Sequence, residues 1–117
     1  MPHLTDHPAV LLRINRRWKP GMSDDDIYDA GRGWWVMGEK RDACEYAIFV
    51  AGGEVRAVFR IHHWALRRPG DPGWQAGKKP RWGFDGEPVP ELRHLVGTDV
   101  SWLFPPGAAN PVRYLNV

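Results

Sequence analysis

The sequence has few of the residues on which several large protein classes depend. Its one cysteine, Cys44, excludes an internal disulfide and a thiolate metal cage. Its only serines are Ser23 and Ser101, and neither lies in the Gly-x-Ser-x-Gly pattern of a serine hydrolase. No apolar run is long enough to cross a bilayer, and the first residues lack the basic start and apolar stretch of a signal peptide. We therefore expect a cytoplasmic protein, not bound to a membrane, that holds no metal and no cofactor.

Tryptophan, glycine and proline are abundant instead. The 117 residues include 7 tryptophans, 13 glycines and 11 prolines. This much glycine and proline excludes a helical bundle. The hydrophobic fraction of 43% and the charged fraction of 26% exclude disorder of the whole chain. The length suits one domain, which we place at residues 1–117, with residues 1–8 expected to form a flexible N-terminus.

Charge is segregated along the chain, although the formal net charge is only +2. Residues 10–19 contain basic side chains and no acidic one, whereas acidic side chains predominate in residues 23–45. Residues 55–84 are again basic, with Asp71 as their only acid. A chain patterned in this way can present a positive face while it stays nearly neutral overall.

The apolar pattern predicts an α+β fold with about five strands and two or three short helices. Ser23 and Asp26 have the spacing of a capping box, and a second helix is predicted over residues 90–97. A hairpin is predicted to turn at Gly52-Gly53, pairing Val50 with Val55, Ile48 with Ala57 and Tyr46 with Phe59. The remaining strands are predicted at residues 9–16, 34–38, 81–84 and 111–117, in a curled or barrel-like sheet.

Several tryptophans are next to basic residues, which is a pattern typical of nucleic-acid binding. Trp34 and Trp35 follow Arg32, Trp64 precedes Arg67-Arg68, and Trp82 follows Arg81. A base stacked on an exposed tryptophan gains about 1–3 kcal/mol, and neighbouring cations attract the phosphates. An aromatic cage also favours a methyl group on the base. This pattern therefore indicates a site for an unpaired, flipped or modified base.

The order of the elements resembles the PUA-like superfamily, and within it the EVE, YTH and ASCH group. The resemblance rests on a basic strand with Asn15 and Trp18, on residues 30–35 (Ala-Gly-Arg-Gly-Trp-Trp) after a short helix, and on the hairpin that leads to residues 60–64 (Arg-Ile-His-His-Trp). It implies a small PUA-like β-barrel of about five strands, with a pocket for one nucleotide, often a modified base. It also implies a link to modification-dependent restriction or to the reading of modified RNA, beside a catalytic partner domain or subunit.

The predicted site combines the residue pattern with this resemblance. DNA or RNA is the expected partner. The base is expected to contact Asn15, Trp34, Trp35, Trp64 and Trp82. The phosphates are expected to contact Arg16, Arg32, Arg60, Arg67 and Arg68.

Two other functions remain open at this point. The first is a small nuclease of the same superfamily that uses His62 or His63. Neighbouring residues of a strand point to opposite faces, so these two histidines are not expected to bind one metal ion together. The second is a protein-interaction or regulatory domain whose exposed tryptophans form the contact surface.

Overall fold

The computed structural model describes residues 3–117, which fold around one mixed five-stranded β-sheet. The strands are β1 (Ala9–Arg13), β2 (Tyr46–Ala51), β3 (Glu54–Leu66), β4 (Trp82–Pro88) and β5 (Val112–Leu115). The sheet has the strand order β4-β3-β2-β1-β5, in which β1 and β2 are parallel and the other pairs are antiparallel. An α+β fold with five strands is therefore confirmed.

The predicted closure into a barrel is wrong. Within residues 3–117 the sheet is open, with β4 and β5 as its two edges. A barrel buries the inner face of its strands by curling them around one core, whereas here separate layers cover both faces. Helix α1 (Asp24–Gly31) covers one face, and the 3₁₀ segments Pro90–Leu95 and Ser101–Leu103 lie on the other. All of β2 is buried in consequence, without closure of the sheet.

The two faces carry separate hydrophobic cores. The core under α1 contains three phenylalanines, Phe49, Phe59 and Phe84, together with Ile27 and Trp35. The Phe49 ring meets the Phe59 ring edge to face at 5.5 Å and stacks on the Phe84 ring at 6.0 Å between centroids. The opposite core is aliphatic, with residues such as Leu11, Ile48, Val55 and Val100. The aromatic core lies beneath the site described below.

The capping box begins α1 as predicted. The Asp26 amide donates to Ser23 Oγ at 3.2 Å, and the Ser23 amide donates to Asp26 Oδ2 at 3.1 Å. Two further predictions for local structure differ from what is observed. The second helix is a tighter 3₁₀ segment, Pro90–Leu95, and residues 34–38 form only an isolated bridge between Trp35 and Trp82 instead of a strand.

The hairpin turns where predicted, but its register differs beyond the first pair. Val50 faces Val55 as expected, and then a β-bulge inserts Arg56, so that Phe49 faces Ala57 and Ile48 faces Val58. The bulge places Phe59 on the same face as Phe49, in the aromatic core. Phe59 therefore packs under α1 instead of beside Tyr46.

The residues before β1 are attached to the fold. Leu4 is buried in the aliphatic core, and Asn116 Nδ2 donates to the carbonyls of Thr5 and His7 at 2.8 and 2.9 Å. Residues 1–2, the start of the segment expected to be flexible, lie outside the described residues. The part of the chain that the structure describes contains no helix with the length and apolar character of a membrane span.

Helix α1 approaches β2 so closely that only glycine fits at position 31. A Cβ atom on Gly31 would lie 2.5 Å from Cε1 of Phe49, whose ring is held between two other phenylalanines. We expect Gly31→Ala to lower the free energy of unfolding by about 1–3 kcal/mol, since the ring has no space to move into. Urea unfolding followed by circular dichroism measures this change.

The matched control for that substitution is Gly38→Ala. Gly38 has a φ of −91°, and a Cβ atom there would have no atom within 4 Å. Alanine at this position is expected to leave stability unchanged or to raise it by about 0.4–1 kcal/mol, because it restricts the unfolded chain. Equal effects of the two substitutions would contradict the close approach of α1 to β2.

Candidate nucleic-acid interface

The segment after α1 runs along the outer edge of β4 and so positions Trp34. The Phe84 amide donates to the Arg32 carbonyl at 3.0 Å, and Trp35 and Trp82 exchange two backbone hydrogen bonds of 2.8 and 2.7 Å. These bonds place Trp34 opposite Gly83. A Cβ atom on Gly83 would lie 2.9 Å from Cζ3 of Trp34. The absence of a side chain at residue 83 thus makes room for the indole.

A small cavity lies on one side of Trp34, and we call it the aromatic pocket. Its volume is about 280 Å³, near the lower end of the ~300–1,000 Å³ typical of small-molecule sites. The Trp34 indole, Ala65 and glycine backbone form its apolar part, because the Phe84 ring is buried in the core, and two carboxylates and one guanidinium form its polar part. Its lining residues are Asp29, Arg32, Gly33, Trp34, Ala65, Gly83, Phe84 and Asp85.

The polar part of the aromatic pocket is organised around Asp85. Arg32 forms an ion pair with Asp85 through Nη2 and donates from Nε to the Phe84 carbonyl at 3.0 Å. His63 Nε2 lies 2.9 Å from the other carboxylate oxygen of Asp85. Asp29 forms no ion pair within residues 3–117. The pocket therefore offers a carboxylate acceptor at Asp29 and a fixed guanidinium donor at Arg32.

A larger cavity of about 570 Å³ lies on the other side of Trp34, and we call it the basic cleft. Trp34 and Gly33 line both cavities, so the indole is a shared wall. Among residues 3–117, no acidic side chain lines the basic cleft. Five basic residues do so, namely Arg17, Arg67, Lys78, Lys79 and Arg81. Their charges are concentrated beside the half-buried Trp34 ring, over which the Arg67 guanidinium lies at 5.9 Å from the centroid. Basic side chains beside an aromatic ring attract a nucleic-acid backbone.

Two of these arginines also hold the Trp34 segment in position. Arg17 Nη1 donates to the carbonyls of Ala30 and Gly33 at 3.0 and 3.1 Å, and Arg81 Nη1 donates to the Trp34 carbonyl at 3.3 Å. Lys78 and Lys79 form no ion pair in the described part of the chain. The arginines therefore combine positioning with charge, whereas the two lysines supply charge alone.

A third cavity of about 450 Å³ adjoins the basic cleft at Arg17 and contains Asn15 and Arg16. Asn15 Oδ1 accepts a hydrogen bond from the Gly52 amide at 3.0 Å, so this side chain fixes the turn of the β2–β3 hairpin. Asn15 does not line the aromatic pocket. The structure thus separates Asn15 from Trp34, although both belong to the predicted base-binding set.

The other predicted base-binding tryptophans lie in or beside the core. Trp35 is 5% exposed, and its Nε1 donates to the Gly31 carbonyl at 2.8 Å. The Arg41 guanidinium covers the Trp82 ring at 3.5 Å from its centroid. Trp64 packs against Phe84 at 5.2 Å between ring centroids, and its N–H group is buried. Of the four predicted tryptophans, Trp34 alone lines the aromatic pocket.

The predicted phosphate-binding arginines are spread over several places. Arg32 lines the aromatic pocket, Arg67 the basic cleft, and Arg16 the third cavity. Arg60 lies 5.2 Å from the ring centroid of Tyr46, a residue of the aliphatic core, so it is on the opposite face of the sheet. Arg68 is exposed and lines none of these three cavities.

Sequence reasoning did not select Arg17, Lys78, Lys79 and Arg81 in the basic cleft, nor Asp29 and Asp85 in the aromatic pocket. The charge pattern of residues 10–19 and 55–84 contains the four basic residues, so the information was present. Only the folded chain shows that the β3–β4 connection brings its charges to Trp34.

His62, His63 and Cys44 lie in separate surroundings. Among residues 3–117 no three histidine, cysteine or acidic side chains are grouped as metal ligands. His62 lies 3.5 Å from Glu87 and His63 lies 2.9 Å from Asp85, so the two rings have different partners. Burial raises the pKa of the Cys44 thiol to about 11. This thiol is therefore protonated at neutral pH and a poor nucleophile.

Comparison of the chain with protein-family models, curated proteins and solved structures finds no match. Function is therefore inferred from the aromatic pocket and the basic cleft themselves. The pocket can hold one flat, apolar ring with polar groups on its edge. The cleft can hold negative charge, and Trp34 joins the two cavities.

Proposed function

We propose that this protein is a nucleic-acid-binding module that recognises one modified or flipped base. The base stacks on Trp34 in the aromatic pocket, and the flanking phosphates lie in the basic cleft. The observation that carries the proposal is the position of Trp34 as the wall between these two cavities. The ring of a base suits the aromatic pocket, and the anionic chain attached to that base suits the basic cleft.

The size and lining of the aromatic pocket support a single base as its occupant. A volume of about 280 Å³ is small, so the pocket suits one ring system in preference to a longer ligand. Asp29 accepts hydrogen bonds from exocyclic amino groups, and Arg32 donates to ring nitrogens or carbonyl oxygens. A methyl group on the base adds apolar contact with the Trp34 ring.

A relation to PUA-like domains, and to the EVE domain in particular, is part of the proposal. It is supported by the succession of basic strand, short helix, aromatic segment and hairpin, and by the pocket beside that helix. The open sheet departs from the barrel that the resemblance implies. A module of this kind would serve modification-dependent restriction or the reading of modified RNA, together with a catalytic partner.

A fluorescence titration tests the proposed function. Tryptophan emission is followed while short single strands of DNA and RNA are added, each plain and methylated, at two salt concentrations. We expect saturable quenching that weakens at higher salt and is tightest for one modified strand. Absence of quenching by every strand would contradict the proposal and would favour the protein-interaction alternative.

A second candidate function is a small nuclease, because His63 and Asp85 form a close pair at the rim of the aromatic pocket. A histidine held by a carboxylate can act as a general base. Strands recovered from the titration distinguish the two functions. If the protein cleaves the strands and His63→Ala abolishes cleavage but not binding, the protein is a nuclease that uses His63. If His63→Ala still cleaves the strands, His62 is the next candidate.

A further inference from the structure

The connection between β3 and β4 carries a tryptophan to which the proposed function assigns no role. The Arg67 amide donates to the Arg81 carbonyl at 2.8 Å, so this bond closes the loop at its base. Trp74 lies within the loop and is 39% exposed. A single exposed ring is common on protein surfaces, so the surroundings of Trp74 decide whether it suits a ligand.

Trp74 differs in its surroundings from several tryptophans near the site, which have a guanidinium over the ring, including Trp34 with Arg67 at 5.9 Å from its centroid. The Arg56 guanidinium lies 4.0 Å from the Trp18 ring centroid, and Arg41 lies 3.5 Å from that of Trp82. Within residues 3–117, Trp74 has no aromatic ring and no guanidinium placed over it. Its ring is thus available to a ligand.

Trp74 borders the same basic side chains as Trp34. It lines a hollow of about 150 Å³ that shares Arg67, Gln75, Lys78, Lys79 and Arg81 with the basic cleft. Trp34 belongs to the cleft and Trp74 to the adjoining hollow, so one set of cations lies between two aromatic side chains. Stacking surfaces that alternate with cations are the usual construction of single-strand binding sites.

We propose that Trp74 is a second base-stacking surface, and that the ligand is a single-stranded nucleic acid of at least two nucleotides. This inference rests on the proposed function. One base occupies the aromatic pocket at Trp34, the connecting phosphates lie along Lys78 and Lys79, and a neighbouring base stacks on Trp74. A duplex is a poorer ligand, because its paired bases already stack on one another and offer no free face.

Comparing Trp74→Ala with Trp102→Ala tests the inference. Trp102 is the matched control, since it is 42% exposed but lies in the 3₁₀ segment Ser101–Leu103 on the other face of the sheet. Affinity is measured for a nucleotide monophosphate and for strands of two, four and six nucleotides, as DNA and as RNA. We expect Trp74→Ala to weaken binding of the strands about 5- to 150-fold and to leave the mononucleotide unchanged. Trp102→Ala is expected to change neither.

Failure of this inference is distinguishable from failure of the proposed function. Strands that bind the unaltered protein tightly, with equal affinity for Trp74→Ala and Trp102→Ala, would overturn the role of Trp74 alone. The role of Trp74 would also be overturned if the unaltered protein bound a dinucleotide no more tightly than a mononucleotide. If the unaltered protein binds no strand, the proposed function itself is wrong. The DNA and RNA arms identify which sugar the two-base site accepts.

Discussion

Replacing Trp34 with alanine is expected to weaken binding of single-stranded nucleic acid by about 5- to 150-fold. The indole forms the wall between the aromatic pocket and the basic cleft, so its removal takes away the stacking surface and merges the two cavities. Stability should change little, because the backbone bonds between Arg32 and Phe84 and between Trp35 and Trp82 do not involve this side chain. Fluorescence anisotropy with a labelled strand gives the affinity, and thermal melting gives the stability.

Trp34→Phe is the control that separates stacking from packing. Phenylalanine keeps an aromatic face against Gly83 and is expected to retain more of the affinity than alanine does. Equal affinities of the unaltered protein and a folded Trp34→Ala variant would show that the aromatic pocket is not part of the binding site. A large loss of stability in Trp34→Ala would instead assign the ring a structural role.

Reversing the charge of both lysines in the basic cleft is expected to weaken strand binding by about 10-fold or more at low salt. The Lys78→Glu/Lys79→Glu variant replaces two attractions for phosphate with two repulsions and disturbs no ion pair described in residues 3–117. In a plot of the logarithm of the affinity against the logarithm of the salt concentration, the double variant should also have a shallower slope than the unaltered protein. Two lost phosphate contacts on a single strand change that slope by about 1.4.

The matched control for this pair is Lys40→Glu/Arg60→Glu, which changes the net charge equally. Neither residue lines the basic cleft, and Arg60 lies on the opposite face of the sheet. The control should therefore lose much less affinity and keep nearly the full salt slope. Equal losses in the two double variants would mean that overall charge, and not the basic cleft, attracts the strand.

The features that could be predicted from the sequence are those set by local chemistry. The capping box needs only Ser23 and Asp26 at the right spacing, and the hairpin needs only two glycines between apolar runs. The α+β class with five strands follows from the same short-range patterns. None of these depends on which distant segment the element meets.

The features that could not be predicted depend on packing between distant segments. The bulge at Arg56 places Phe59 in the aromatic core, and no local pattern indicates it. Trp34 and Trp35 are neighbours in an equivalent sequence setting. Trp35 packs into the aromatic core, where its Nε1 donates to the Gly31 carbonyl, whereas Trp34 borders the cavities.

The basic cleft also depends on distant segments that come together only in the folded chain. Arg17 comes from the segment after β1, whereas Lys78 and Lys79 come from the loop before β4. The long strand β3 carries this loop past β2 to the edge where residues 32–35 pair with β4. Charge counting along the chain identifies basic stretches, but only this topology makes them one surface.

The most direct test of the account is an NMR titration that observes the indole N–H groups of all seven tryptophans. Each gives its own signal, assigned by single substitution, and a short single strand is added stepwise. We expect the Trp34 and Trp74 signals to shift most, while the signal of Trp102, which is on the other face, stays in place. Shifts centred on Trp102, or no shift at any indole with saturating strand, would contradict base recognition at Trp34.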